Sequence, residues 1–370
     1  MKKNICVIGA TGVAGSAFLD FCLYGRDNTG RHNVVAGTDS EIETIPQDWS
    51  FYAVSRRATQ VTGNKNDLAT SPVTAIKADL LGDYSQLQEL RSVTHVVFAG
   101  FVPAEGFDKQ LEPNRRLLQN CLQALSHCPL EHVVLLQGMK YYGSHLGAFK
   151  TPAREDDVRH NGPNYYYEQQ DLLQASGIDW TCLRPHVICG TSSFGTTQNI
   201  LAVLAVYASI CKANKQPLDW PGSNASFEKL NQATDSQLLA RAIAWSLKTQ
   251  TARNQAFNIT KGDFFRWQNL WPKIADVFEI QSGQVRPQTL SETMQEQEPL
   301  WQQLAQQHSL QAPSMQSLAD WKFADYILNT GWDVMADTGK ARKHGFPLFA
   351  DTEEMYISLL RQMREQHIVP

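Results

Sequence analysis

Residues 5–15 of the chain read ICVIGATGVAG, and this short segment predicts the architecture of the first half of the protein. Residues 5–8 form an apolar run with no polar side, which is typical of a parallel strand covered on both faces. Three glycines come next at G-x-x-G-x-x-G spacing, and a segment with helical apolar periodicity begins at Val13. A strand, a glycine turn and a helix together make the first unit of a dinucleotide-binding fold.

Each glycine of this turn has its own expected task. We expect Gly9 to allow the tight turn, Gly12 to let the backbone approach a pyrophosphate, and Gly15 to let the helix pack closely on the strand. Thr11 and Val13 lie in the same loop, at a helix N-terminus suited to phosphate. An ordinary strand-to-helix turn is the alternative, but the position and flanks of the segment favour a cofactor site. The spacing is the variant found in short-chain dehydrogenase/reductases.

Length and composition limit the class of protein. The 370 residues suit one large or two modest domains, and the net charge of −4 argues against a nucleic-acid partner. No apolar run is long enough to cross a membrane, and the N-terminus leads straight into the first strand, without a signal peptide. Seven cysteines are scattered without a C-x-x-C motif, so we expect reduced thiols, no metal site and a cytoplasmic location.

Strands and helices alternate as far as residue 190. Further strands are predicted at 73–78, 95–100, 132–136 and 178–185, with helices between them. This alternation predicts an α/β fold, a Rossmann-type doubly wound parallel sheet. Beyond residue 190 helices and tryptophans dominate, apart from a strand at 255–259. We therefore expect an NADP-binding domain at 1–190 and a helical substrate-binding cap at 191–370, with some strands returning to the core.

Two segments compete to be the second strand. Residues 33–39 end in Asp39, where an acid would bind the ribose of NAD. Residues 51–57 end in Ser55, Arg56 and Arg57, and two arginines suit the 2′-phosphate of NADP. We choose the second segment because it leads directly to the third strand, and this choice favours NADP. It makes the insert at residues 25–50 longer than most connections.

Further cofactor contacts are expected where the other strands end, because ligands of open α/β sheets bind beyond the carboxyl ends of the strands. Asp79 and Leu80 are placed to meet the adenine, although Asp79 suits a helix N-cap equally well. The same rule brings Lys140, a tyrosine cluster and the turn at 184–190 around one crevice. The remaining predicted contacts are Ala99, Gly100, Phe101, Gln137, Pro185, Val187 and Ile188.

A standard short-chain dehydrogenase carries Tyr-x-x-x-Lys on one helix, where the lysine binds the ribose and lowers the pKa of the tyrosine. None of the 11 tyrosines here has a lysine four residues later. After Tyr165, Tyr166 and Tyr167 these positions hold two glutamines and an aspartate. Either the chain has lost its chemistry, or the lysine comes from another segment.

The segments QGMKYYG around Lys140 and NYYYEQQD at residues 164–171 resemble two motifs of the progesterone 5β-reductase/iridoid synthase-like family. The resemblance continues through residues 180–185, 206–212, 256–258, 267–271 and 323–325 to the final IVP. It implies a catalytic pair of Lys140 and Tyr167, and NADPH with its nicotinamide beside Ile188. It also implies that Arg56 and Arg57 bind the cofactor phosphate and that Asp79 contacts the adenine. Tyr165 and Gln170 stand where the family has phenylalanine and glutamate.

The resemblance implies an NADPH-dependent reductase that adds hydride to the β-carbon of an enone or enal. Tyr167 would hydrogen-bond the carbonyl oxygen as negative charge develops there, and Lys140 would bind the ribose. The expected substrate is a small apolar carbonyl compound, steroid- or terpenoid-like. A homodimer is compatible with the resemblance. Direct 1,2-reduction of a carbonyl, nucleotide-sugar epimerisation and a non-catalytic NADP sensor are the alternatives.

Overall fold

A computed structural model describes residues 3–24, 45–46, 48–56, 73–104, 106–190, 199–312 and 314–370. Its strands in chain order are β1 (Lys3–Ile8), β2 (Trp49–Ser55), β3 (Val73–Lys77), β4 (His95–Phe98), β5 (His132–Leu136), β6 (Asp179–Pro185), β7 (Ile188–Cys189), β8 (Leu218–Trp220), β9 (Leu230–Asn231), β10 (Thr234–Asp235), β11 (Gln255–Ile259), β12 (Phe265–Arg266) and β13 (Ser282–Val285).

The α-helices in chain order are α1 (Val13–Tyr24), α2 (Ser85–Gln88), α3 (Leu111–Ala124), α4 (Tyr165–Ser176), α5 (Ile200–Ala213), α6 (Asn224–Glu228), α7 (Ser236–Lys248), α8 (Trp267–Val277), α9 (Leu290–Thr293), α10 (Glu298–Gln307), α11 (Trp321–Leu328), α12 (Gly339–Lys343) and α13 (Thr352–Glu365). Short 3₁₀ segments lie among them, and the one that concerns the site is Met139–Tyr142.

Seven of these strands form one sheet in the order β11-β6-β5-β4-β1-β2-β3, and every neighbouring pair is parallel. The predicted doubly wound Rossmann sheet is therefore confirmed. Chain order reverses at β1, which pairs with β2 on one side and β4 on the other. Because the strands run in one direction, their carboxyl ends meet at one edge, and ligands of such sheets bind where the order reverses.

The choice of second strand is also confirmed. β2 begins at Trp49 and pairs with β1 from Lys3↔Trp49 to Ile8↔Val54. The competing segment at 33–39 and most of the insert at 25–50 lie outside the described residues, as does Arg57.

Residues beyond 190 contribute to two large apolar cores. One is the cap core, which contains Trp220, Trp267, Trp271 and Trp301, all fully buried. The other belongs to the sheet layer, where α7 packs on α1 and Trp245 packs on Phe257 of β11. The second half of the chain thus builds both layers, as the returning strand β11 shows. The proposed domain boundary at residue 190 stays a prediction.

Candidate active site

The glycine turn joins β1 to α1 in the crowded space between β2 and β4. The amides of Gly9 and Ala10 both donate to the carbonyl oxygen of Val54 at 3.2 Å. Gly9 has a φ of 79°, and a Cβ there would lie 2.7 Å from the carbonyl oxygen of Ala99. A Cβ on Gly15 would lie 2.4 Å from the carbonyl oxygen of Gly9. Side chains at these two positions would therefore clash with backbone, so the turn and the start of α1 require glycine there.

The predicted adenine and phosphate residues lie at the ends of β2 and β3. Arg56 directly follows β2 and is exposed, while its neighbour Arg57 lies outside the described residues. Asp79 is also exposed, and its carboxylate accepts a hydrogen bond of 3.0 Å from the amide of Leu81. The alternative of Asp79 as a helix N-cap is wrong, because α2 begins at Ser85 with Tyr84 in the cap position. Leu80 is buried beside Asp79.

The turn after β6 holds an unusual backbone conformation. Pro185 ends β6, and Val187 has a φ of 41°. Positive φ is rare for a β-branched residue, and such strain concentrates at functional sites. Ile188 follows in β7, which pairs with β10. The predicted nicotinamide position therefore lies next to a residue with a strained backbone conformation.

Lys140 lies in the 3₁₀ segment Met139–Tyr142, immediately after β5. Its ammonium lies 5.4 Å from the ring centroid of Phe107 and 5.0 Å from that of Tyr326, which belongs to α11. Such placement stabilises a cation. Burial nevertheless lowers the pKa of Lys140. The lysine therefore sits where the cap meets the sheet edge, as a partly desolvated positive charge.

Two histidines near Lys140 favour the neutral form. Burial is the main cause, and the charge of Lys140 adds to it, so the pKa of His145 and that of His186 are each lowered to about 4. Both rings are therefore neutral at neutral pH, and they lie near Lys140, whose own pKa burial lowers.

Tyr167 does not present a free hydroxyl to the crevice. That hydroxyl donates to the carbonyl oxygen of Tyr141 at 2.6 Å and accepts from the amide of His160 at 3.0 Å. The ring is 8% exposed and packs edge-on against the ring of Tyr141. The Tyr167 hydroxyl thus connects the segment at Tyr141 with the loop at His160, which is a structural role. The assignment of Tyr167 as the catalytic tyrosine stays a prediction, which this geometry does not favour.

Its neighbour Tyr166 lies closer to the predicted chemistry. A Cβ on Gly138 would lie 3.1 Å from the Tyr166 hydroxyl oxygen and 3.4 Å from the carbonyl oxygen of Pro185. The hydroxyl therefore lies beside Gly138, just after β5, in a region that the Pro185 carbonyl at the end of β6 also approaches. The ring centroid is 6.4 Å from that of Phe107, one of the two rings beneath Lys140. Burial raises the pKa of Tyr166 to about 12.

Sequence reasoning missed the residue that joins the lysine segment to the tyrosine helix. The Asn164 side-chain amide donates to the carbonyl oxygen of Lys140 at 2.9 Å, and its oxygen accepts from the amide of Tyr166 at 3.0 Å. Asn164 is thus the N-cap of α4 and a tie to Lys140 at once. Its place just before the tyrosine run was the available signal. Phe107 and Tyr326 carried none, because they come from distant parts of the chain.

The described part of the chain contains no cluster of three His, Cys, Asp or Glu side chains able to hold a metal ion. Among its helices, none has the length and apolar character needed to cross a membrane.

Comparison with known proteins places these features in context. The profile of the PRISE-like Rossmann-fold domain matches residues 5–370. An (S)-8-oxocitronellyl enol synthase from Camptotheca acuminata is 30% identical, with 98% of this chain and 92% of the relative covered. A 3-oxo-Delta(4,5)-steroid 5-beta-reductase from Arabidopsis thaliana is also 30% identical over the same shares.

Solved structures with the same fold are more distant. A UDP-glucuronic acid 4-epimerase from Bacillus cereus, in complex with NAD, superimposes with a TM-score of 0.65 at 14% identity and covers 99% of both chains. The terminal R domain of the myxalamid PKS-NRPS biosynthetic pathway gives a TM-score of 0.64 at 15% identity, covering 100% of this chain and 92% of that one. At such identities the likeness concerns the fold.

Proposed function

The chain belongs to the PRISE-like Rossmann-fold family, and from that premise we propose that it is an NADPH-dependent reductase of activated C=C bonds in enones or enals. Relatives along nearly its whole length are a steroid 5-beta-reductase and an enol synthase. The observation that carries the proposal is local. The Tyr166 hydroxyl lies beside Gly138, two residues from Lys140 and next to the end of β6, where substrate and nicotinamide would meet.

NADPH would lie across the strand ends at the point where strand order reverses. The glycine turn and the N-terminus of α1 would hold the pyrophosphate, and the lack of side chains at Gly9 and Gly15 lets β1, β4 and α1 pack closely enough to form that turn. Arg56, with Arg57 after it, would bind the 2′-phosphate, and this pair supports NADPH over NADH. When bound, the cofactor supplies the hydride.

The residues of the chain would bind and polarise the substrate. Hydride addition at the β-carbon moves the C=C electron pair toward the α-carbon and the carbonyl, so negative charge develops on the carbonyl oxygen. A hydroxyl donor at that oxygen stabilises the enolate, and Tyr166 is placed to be this donor. The charge of Lys140 would position the ribose and favour the anion. A proton from solvent at the α-carbon completes the saturated carbonyl product.

The lining of the crevice supports an apolar substrate. The rings of Phe107 and Tyr326 lie against the Lys140 ammonium, and the ring of Tyr165 packs at a tilt on Phe107 with 5.2 Å between centroids. Aromatic walls with a few polar groups are typical of sites for small apolar ligands. A cytoplasmic location and a homodimer remain predictions.

The test is a labelled turnover. NADPH carrying deuterium at the transferred position is incubated with a linear enal, a cyclic enone, a saturated aldehyde and a saturated ketone. The proposal expects saturated product with deuterium on the β-carbon, and no reduction of the saturated carbonyls. Deuterium on the carbonyl carbon would instead establish 1,2-reduction. NADPH binding without consumption of any substrate would support a sensor.

A further inference from the structure

Arg184 is a buried cation near the carboxyl end of β6, and its side chain is 1% exposed. Its guanidinium donates three hydrogen bonds, each to a neutral oxygen. These acceptors are the side chains of Gln137 at 3.0 Å, Tyr142 at 2.8 Å and Gln170 at 3.1 Å. The guanidinium carbon also lies 3.3 Å from the ring centroid of Tyr141.

These contacts join the two parts of the proposed catalytic pair. Tyr141 and Tyr142 belong to the same 3₁₀ segment as Lys140, so Arg184 holds that segment at two side chains. Gln170 lies in α4, one turn after Tyr166 and on the same helical face. Gln137 extends the connection, because its amide donates to the carbonyl oxygen of Tyr166 at 2.9 Å.

The position of Gln170 on α4 shows why its hydrogen bond with Arg184 matters for the site. In a Tyr-x-x-x-Lys helix, the residue four positions after the catalytic tyrosine is the lysine that aligns cofactor and phenol. Counted from Tyr166 that residue is Gln170, whose side-chain oxygen receives Arg184. Among the described residues its hydrogen-bond acceptors are neutral oxygens, with the Glu155 carboxylate close enough to interact through charge, and burial of an arginine in such surroundings costs stability. Its planar fork suits the alignment of three groups at fixed angles.

We infer that Arg184 is a positioning residue, which sets the Lys140 segment and the Tyr166 helix in register so that ammonium and hydroxyl act on one bound substrate. This inference rests on the proposed function. Arg184 lies in β6. This strand would therefore provide the alignment of lysine and tyrosine that a Tyr-x-x-x-Lys helix achieves within one turn.

The test is Arg184→Lys, which keeps the charge and loses the planar fork. We expect kcat for enal reduction to fall by roughly ten- to a hundredfold, because small misplacements of reacting groups are this costly, while KM for the enal changes by about twofold or less. In a Tyr166→Phe background the same substitution should lower kcat by only about threefold or less, since groups that act as a unit are not additive. Equal losses in both backgrounds would overturn the inference.

A second measurement does not depend on activity. Amide hydrogen exchange at residues 139–142 and 165–170 should be faster in Arg184→Lys than in the wild type. Unchanged exchange in both segments would overturn the inference, whereas absence of enal reduction by the wild type would overturn only the proposed function. Arg253→Lys is the matched control, because Arg253 pairs with Asp179 at the opposite end of β6, at 2.8 Å. It should change neither readout.

If Arg184→Lys does not fold, Gln170→Leu removes only the acceptor on α4. Its kcat should fall by about three- to tenfold, with faster exchange confined to residues 165–170. Wild-type kcat and exchange in this variant would count against the inference.

Discussion

The hydroxyl of Tyr167 donates a 2.6 Å hydrogen bond to the carbonyl oxygen of Tyr141, the residue that follows Lys140. Two adjacent tyrosines on one helix therefore have different surroundings. The Tyr167 hydroxyl is hydrogen-bonded to backbone, whereas the Tyr166 hydroxyl lies beside Gly138, just after β5. A helix turns its side chains by about 100° per residue, so neighbours in sequence face different parts of a site.

The first prediction separates these two tyrosines by removing one hydroxyl at a time. Tyr166→Phe should lower turnover by roughly a hundred- to thousandfold, the usual effect of losing an oxyanion donor, with NADPH affinity nearly unchanged. Tyr167→Phe should keep turnover within several-fold of wild type and destabilise the fold by about 1–3 kcal/mol, because a buried carbonyl loses its donor. Steady-state kinetics and urea unfolding measure both. The reverse pattern would restore Tyr167 as the catalytic tyrosine.

The second prediction concerns the charge of Lys140. Lys140→Met keeps an apolar chain between Phe107 and Tyr326 and removes the ammonium. NADPH should bind more weakly, and kcat/KM should fall. We expect the overall loss in kcat/KM to be roughly ten- to a hundredfold, the usual effect of losing a charge-assisted hydrogen bond. Fluorescence titration of NADPH and initial rates give the two numbers. Lys150→Met is the control, since Lys150 forms a surface ion pair with Asp157 and should tolerate the change.

Cofactor preference is the third prediction. Replacing both Arg56 and Arg57 by alanine should remove most of the preference for NADPH over NADH, because each contact to the 2′-phosphate contributes about 1.5–3 kcal/mol. The ratio of kcat/KM values for the two cofactors is the readout. Arg91→Ala, an exposed arginine that bonds to its own loop, should leave the ratio as it is. A wild type that uses NADH equally well would contradict this and return Asp39 as the ribose ligand.

The fourth prediction tests the glycine turn. Gly15→Ala would place a Cβ 2.4 Å from the carbonyl oxygen of Gly9, so the glycine turn and the start of α1 must shift apart. We expect destabilisation of about 1–3 kcal/mol, typical of overpacking, and weaker NADPH binding. Gly331→Ala is the control, because its Cβ would make an ordinary 3.5 Å contact with Ala225. Binding as tight as wild type in Gly15→Ala would refute the role of this turn.

The fifth prediction is a dependence of stability on pH that arises far from the site. Burial lowers the pKa of His95 and of His132 to about 3. His132 Nε2–H donates to the Thr181 hydroxyl at 2.9 Å, since that hydroxyl itself donates to the carbonyl oxygen of Ala252. Both rings are therefore neutral in the folded protein, while in the unfolded chain they gain a proton near pH 6.5.

Stability should therefore fall as pH drops from about 6.5 toward 3, by up to about 1.4 kcal/mol per pH unit for each ring. Urea unfolding of His132→Gln between pH 7 and 4 should show a shallower decline than the wild type. His308→Gln, on an exposed histidine, should follow the wild-type curve. Identical slopes for the wild type and His132→Gln would show that His132 is not held neutral.

The amino-acid sequence alone determined the Rossmann sheet and the glycine turn. The signals are local, because an apolar run ending in glycines at fixed spacing has few alternative structures. The choice of the arginine strand also followed from sequence, since β2 had to lead directly into β3. The family motifs pointed to Lys140 and to the tyrosine run. They ranked Tyr167 first among the three consecutive tyrosines, but they carry no information on how each hydroxyl is oriented in this chain.

Tertiary structure determined those orientations, through contacts between segments far apart in the chain. Tyr167 meets backbone from residues 141 and 160, and Tyr166 meets Gly138 and the end of β6. Lys140 lies against Tyr326, which is 186 positions later in the numbering, and Arg184 joins β5, β6 and α4. No periodicity records such contacts, because they depend on how helix and loop pack on the sheet edge. The orientation of each side chain in the site therefore depends on tertiary packing and cannot be read from the local sequence.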